Sequence, residues 1–166
     1  MTYKITNQLI GSQQIADTST TALHSLGTVV HAVDPTYGGG EFIYLLGVIN
    51  TVVGLTVTYN ATTWQTALTP NTASFQAPIA VAMSANVASQ YGWYQISGNA
   101  VVKKSAVQVL PQVKVYQSAT TGRLMPTSAS GKMIVGAKTA NLTTVTSTTS
   151  TVVITIARPS MQTQIT

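Results

Sequence analysis

His24 and His31 are the only imidazoles of the chain, seven positions apart and followed by Asp34, and they are its nearest approach to a metal-binding set. A structural zinc takes about four protein ligands and a catalytic zinc about three. Two histidines and one aspartate on a turn fall short, so no metal is expected. The acids are as sparse: Asp17, Asp34 and Glu41 are all there are. Asp34 and Glu41 flank Gly38-Gly39-Gly40, the one place where two carboxylates could pair for acid–base work. That glycine run lacks the Lys-Ser/Thr of a phosphate loop and opens a strand-like segment rather than a helix. It predicts a flexible hairpin turn and no anion cradle. No serine stands in a Gly-x-Ser-x-Gly setting, and cysteine is absent. The chain is therefore expected not to be an enzyme, with no catalytic residue and no cofactor.

The densest aromatic cluster is Gln90-Tyr91-Gly92-Trp93-Tyr94-Gln95-Ile96. In a strand, Trp93 and Gln95 face one way and Tyr94 and Ile96 the other, so one set is expected to fill a core or a subunit interface. The competing reading is a carbohydrate-binding or adhesin module, with Trp64, Trp93 and Tyr94 as a platform for sugars.

The elements that must position these groups are built from an unusual composition. Only 7% of residues are charged, against about 25% in an ordinary domain, while 45% are apolar. Thr, Ser, Ala, Val and Gly fill the rest. Disordered chains pair low hydrophobicity with high net charge, the reverse of this pattern. A neutral, hydroxyl-rich surface lacks the repulsion that keeps proteins apart, which predicts a structural protein packed against copies of itself or a partner. The net charge of +5 is lopsided: Lys4 faces three acids in residues 1–60, and residues 61–166 hold seven cations and no acid. Those cations are scattered, with only Lys103 and Lys104 adjacent, so no specific nucleic-acid partner is expected. The N-terminal residues lack the apolar stretch of a signal peptide, and Phe42–Leu46 is too short to span a bilayer, so no membrane partner is expected either.

Residues 1–26 carry isolated apolar side chains with neither helical period nor alternation, and read as an extended N-terminal arm with room for a short helix at 20–26. Residues 27–166 read as strands. Candidates are 27–33, 41–48, 52–59, 78–84, 92–97, 100–103, 107–109, 113–116, 133–137 and 151–157, split by Gly-, Pro- and Asn-containing turns. Many short strands and no long helical pattern predict a compact all-β body, a β-barrel or β-sandwich. An internal repeat accompanies them. Tyr59-Asn60-Ala61-Thr62-Thr63 is echoed by Tyr116-Gln117-Ser118-Ala119-Thr120-Thr121, and Pro78–Asn86 by Met133–Asn141, which predicts two related strand–turn–strand units.

The stretch from Gly27 to Pro159 resembles the capsid decoration, or cement, proteins of tailed bacteriophages. The resemblance is carried by Gly40-Glu41-Phe42-Ile43-Tyr44-Leu45-x-Gly47-Val48 and by Pro78–Tyr94-Gln95-Ile96-x-Gly98-x-Ala100-Val101-Val102. Gly122-Arg123-Leu124-Met125-Pro126 and Lys132–Ala137 follow in the same order. It implies a virion protein made in the bacterial cytoplasm and carried on the outer capsid surface. The implied partner is the major capsid protein. Further copies of the chain are also expected, a trimer being preferred over a dimer because a low-charge β body with one dissimilar arm suits exchange about an axis. Within that frame the expected capsid or subunit contacts are Tyr3, Ile5, Leu9, Ile10 and Ile15 of the arm, with Trp93 and Tyr94 of the body. A tail or neck ring subunit is the remaining alternative.

Overall fold

The computed structural model describes residues 4–5 and 12–163. Every regular element among them is a strand, as the dense β-branched runs predict. The strands are β1 (Lys4–Ile5), β2 (Thr18–Ser19), β3 (Val29–Asp34), β4 (Gly38–Leu46), β5 (Thr56–Tyr59), β6 (Thr66–Leu68), β7 (Ile79–Ala82), β8 (Tyr91–Lys103), β9 (Lys114–Gln117), β10 (Leu124–Met125), β11 (Met133–Thr139) and β12 (Thr151–Met161). All join one antiparallel sheet whose main path runs β1-β3-β4-β8-β12-β11-β9-β10. Strands β2 and β7 also pair β8, and β5 pairs both β6 and β7.

The sheet is organised around β8. Along one side β4 pairs it from Leu46↔Tyr91 to Gly40↔Gly98. Along the other side three strands follow one another: β2 at Tyr91 and Gly92, β7 at Tyr94 and Gln95, and β12 from Ser97 to Lys103. The sheet thus forks at Ser97–Gly98. Residues 92–97 and 100–103, expected as two strands, are one continuous strand. Gly98 is its bend: φ is +95° and the residue lies against the β4 backbone, where a Cβ would fall 2.3 Å from the Gly39 carbonyl oxygen. Only glycine combines that φ with that approach.

The repeat seen in the sequence has the same pairing in both copies. In the first, β5 pairs β6 and β7, and β7 pairs β8. In the second, β9 pairs β10 and β11, and β11 pairs β12. The last strands of the two units then pair with each other, from Thr151↔Lys103 to Ala157↔Ser97. The units also meet at the far side, where the Gly122 turn reaches β5. There Thr56 N–H donates to Gly122 O (2.9 Å), Gly122 N–H to Thr69 O (3.0 Å) and Thr69 N–H to Thr56 O (3.1 Å).

Three apolar clusters fill the layers. One lies between the two units and holds Val81, Val102, Val115, Leu124 and Ile154. The other two lie on opposite faces of β4. Ile43 and Leu45 pack with Val57, Ala82 and Tyr94, while Phe42 and Tyr44 pack with Ile15, Val30 and Trp93. Because β4 is covered on both faces, Phe42 to Leu45 are four buried residues in a row. A one-sided sheet would alternate there instead.

The second face of β4 is covered by the segment read as an arm. Residues 12–26 form turns, bends and the short β2, with no helix, and Ile15 is 3% exposed in the cluster with Trp93. From residue 12 onward the segment expected as an arm is a strap closed over its own body. Its apolar residues looked isolated because each fills one point of a surface supplied by other strands.

Candidate functional site

Gln13 fastens the strap. Its carbonyl oxygen accepts from Trp93 Nε1 (3.0 Å), and its Oε1 accepts from the Tyr44 hydroxyl (2.7 Å). Its Nε2 donates to the carbonyls of Asp17 (2.7 Å) and Tyr91 (3.2 Å). Its backbone N–H donates to Nε2 of His24 (3.2 Å), whose ring packs at 5.1 Å from Tyr44 and 5.2 Å from Trp93. One glutamine thus satisfies the polar ends of two large aromatic side chains that burial would otherwise leave unpaired.

The residues expected to make capsid or subunit contacts divide by this arrangement. Tyr3, Leu9 and Ile10 lie outside the described residues. Ile5 is half-buried in β1, against the cluster that contains Ile15. Ile15, Trp93 and Tyr94 are buried inside the chain, the last two completely. Expected at a contact surface, those three instead face this chain's own core. Tyr94 sits in a polar niche: with the Asn86 amide oxygen turned toward it, the two are 3.1 Å apart. Burial pushes the Tyr94 phenol up to about 12. The sugar platform expected from Trp64, Trp93 and Tyr94 loses two of its members to the core, and only Trp64 remains within reach of solvent.

The candidates for chemistry have structural partners. Asp34 is buried, and its Oδ1 accepts from the N–H groups of Thr36 (2.8 Å) and Tyr37 (3.0 Å), shaping the β3–β4 turn. Gly38 to Gly40, expected in the turn, already belong to β4. Glu41 accepts from Arg158 Nε (3.1 Å) and lies 3.4 Å from His31 Nε2, tying β12 and β3 to β4. The Arg158 hydrogen bond, first among the causes, holds the Glu41 carboxyl below its usual range. Among the described residues no group of three His, Asp or Glu could hold a metal. Lys104 is 1% exposed and gives its ammonium to the carbonyls of Val107 (2.8 Å) and Ser105 (3.2 Å), and burial pulls its pKa down.

What the surface does offer is a groove and several apolar turns. The groove, about 540 Å³, is lined by Ile43, Ile96, Pro78, Tyr59, Trp64 and Arg158. The Tyr59 and Trp64 rings lie 6.5 Å apart at 22°. Trp64 has φ +58° and Arg158 φ +44°. Bulky residues in that region cost roughly 1–3 kcal/mol each and collect at ligand clamps and switches. Sequence reasoning marked Trp64 but not Tyr59 or Arg158, because only the return of β12 past Pro78 brings the three together. The exposed apolar side chains include Ile49 (59%), Val52, Val53 and Val87, on loops tied together by the Gly47 N–H to Gln90 O bond (2.7 Å).

No family model, no curated protein and no solved structure matches this chain.

Proposed function

We propose that this chain is a structural virion protein that stands on the outer surface of a mature tailed-phage capsid and bridges neighbouring capsomers. One observation supports the reading above the others: a nearly uncharged, strand-only body exposes apolar side chains on its loops. Ile49, Val52, Val53 and Val87 are all at least 40% exposed, and Leu142 is 93% exposed. Burying a Val- and Thr-rich face costs less than desolvating ion pairs, so such loops favour association. The likeness to decoration proteins supplies the partner, the major capsid protein.

The mechanism is stabilisation by linkage. A ligand of the expanded lattice lowers the free energy of that lattice by RT ln(1 + [L]/Kd), about 2.7 kcal/mol per site at a hundredfold excess over Kd. Repeated over a shell, modest interfaces resist the pressure of packaged DNA. With Ile15 turned inward, the contact passes from the strap to the loops around Ile49 and Val87. A trimer gathers three such surfaces about one axis.

Co-sedimentation of the purified protein with undecorated, expanded capsids of its source phage tests this. Saturable binding at hundreds of copies per particle is the expected result. Val52→Asp with Val53→Asp should weaken it by about tenfold or more, since charges would have to be buried. A dozen copies or fewer would move the protein to the neck or tail. No binding would end the capsid reading.

A further inference from the structure

We infer that the groove beside Trp64 and Tyr59 is a binding site for an uncharged glycan. The inference does not depend on the capsid reading. A pyranose has an apolar C–H face and a rim of hydroxyls that both donate and accept. The groove is complementary to each part. Tyr59 and Trp64, nearly parallel, present aromatic surface beside the apolar Ile43, Ile96 and Pro78. Gln76 and Ser160 line the same groove and supply an amide and a hydroxyl, each of which donates and accepts.

Charge narrows the class of ligand. Arg158 is the groove's one cation, and Glu41 holds it through Nε (3.1 Å) and Nη2 (3.5 Å). Matched in this way, the guanidinium adds donors without a net charge that calls for an anion. A purely hydrocarbon ligand would leave those donors and the Gln76 amide unmet, whereas hydroxyls satisfy both. A volume of about 540 Å³ lies within the range of small-molecule sites, roughly 300–1,000 Å³.

The aromatic wall is also held in place before any ligand arrives. The Trp64 backbone N–H donates to Asn60 O (2.8 Å), and its backbone carbonyl accepts from Leu46 N–H (3.1 Å). Gly27 lies directly beneath the indole, where a Cβ would fall 2.5 Å from Cζ2. A second groove of about 530 Å³ shares Tyr59, Ala61 and Pro78 with the first, so two adjacent sugar units of one chain have a place to lie.

The experiment is titration of the full chain, without capsids, with maltotriose, cellotriose and chitotriose, read by tryptophan fluorescence. Trp93 is fully buried, so a change on binding reports Trp64, and Trp64→Phe should abolish it. At least one trisaccharide should give a saturable change. Arg158→Ala and Gln76→Ala, both at exposed positions, should weaken that binding about five- to tenfold by removing hydrogen bonds. A flat response to all three sugars overturns the inference. So does a saturable response that neither substitution alters.

Discussion

The Gln13 side chain accepts from Tyr44 and donates to two carbonyls, while its backbone accepts from Trp93 and donates to His24, so a single residue ties down the aromatic face of β4. Gln13→Leu keeps the volume but leaves the Tyr44 hydroxyl and two carbonyls without their partner. The expected cost is about 2–4 kcal/mol, measured as a lowered midpoint in urea denaturation. Tyr94 provides a second check at this scale. Its folded phenol titrates near 12, against about 10 in the unfolded chain, because burial disfavours the phenolate. The folded state therefore retains the proton longer than the unfolded state, and the contribution is complete below pH 10. Stability should fall as pH rises from about 10 through about 12. Tyr94→Phe should flatten that alkaline loss in a melting-temperature series. Neither role was legible beforehand, since Gln13 reads as one more polar residue in a polar stretch. The Tyr94 environment depends on Asn86 and on strands far away in sequence.

At the scale of elements, alternation located most of the strands, and the reasons for the misses are specific. In the 113–116 candidate Val113 and Val115 share one face, and both pack in the cluster between the two units. Val107–Val109 was expected as a strand but contributes only an isolated bridge from Val109 to Val145, since Pro111 ends the segment. The short β6 and β10 carry too few residues to show a period. The bend in β8 is the most instructive difference, because a glycine flanked by polar residues reads as a turn yet here keeps thirteen residues in one strand, paired to β4 up to Gly98 and to β12 from Ser97 on. Gly98→Ala meets both a positive φ and the Gly39 carbonyl. It should destabilise by about 2–4 kcal/mol, with loss of amide-exchange protection centred on β4 and β8. Protection in that region equal to the parent protein's would show that the fork does not need the bend.

For the whole molecule, the strap changes what truncation means. Removing residues 1–20 deletes Gln13, Ile15 and β2, and uncovers Phe42, Tyr44 and Trp93. The expected outcome is a sharply lowered melting temperature with binding of a hydrophobic dye, not a sound body lacking a detachable arm. A folded, dye-silent truncation would show that the strap is dispensable. A loss of capsid binding on this deletion is thus no evidence for an arm that grips the lattice. Substitutions on the exposed loops, which leave the core intact, separate docking from folding.

The division between the two levels of information follows from the range of the forces involved. Local composition sufficed for the all-β class, for the turn at Asp34 and for the two related units, because strand preference, turn chemistry and repetition are properties of neighbouring residues. The same holds for the scarcity of titratable groups. Which residues are buried together was decided only by the tertiary structure. The strap over β4, the fork at Gly98 and the groove of Tyr59, Trp64 and Arg158 each join segments dozens of residues apart. Their physical cause is the covering of a sheet on both faces, and alternation along one strand carries no record of what lies above it.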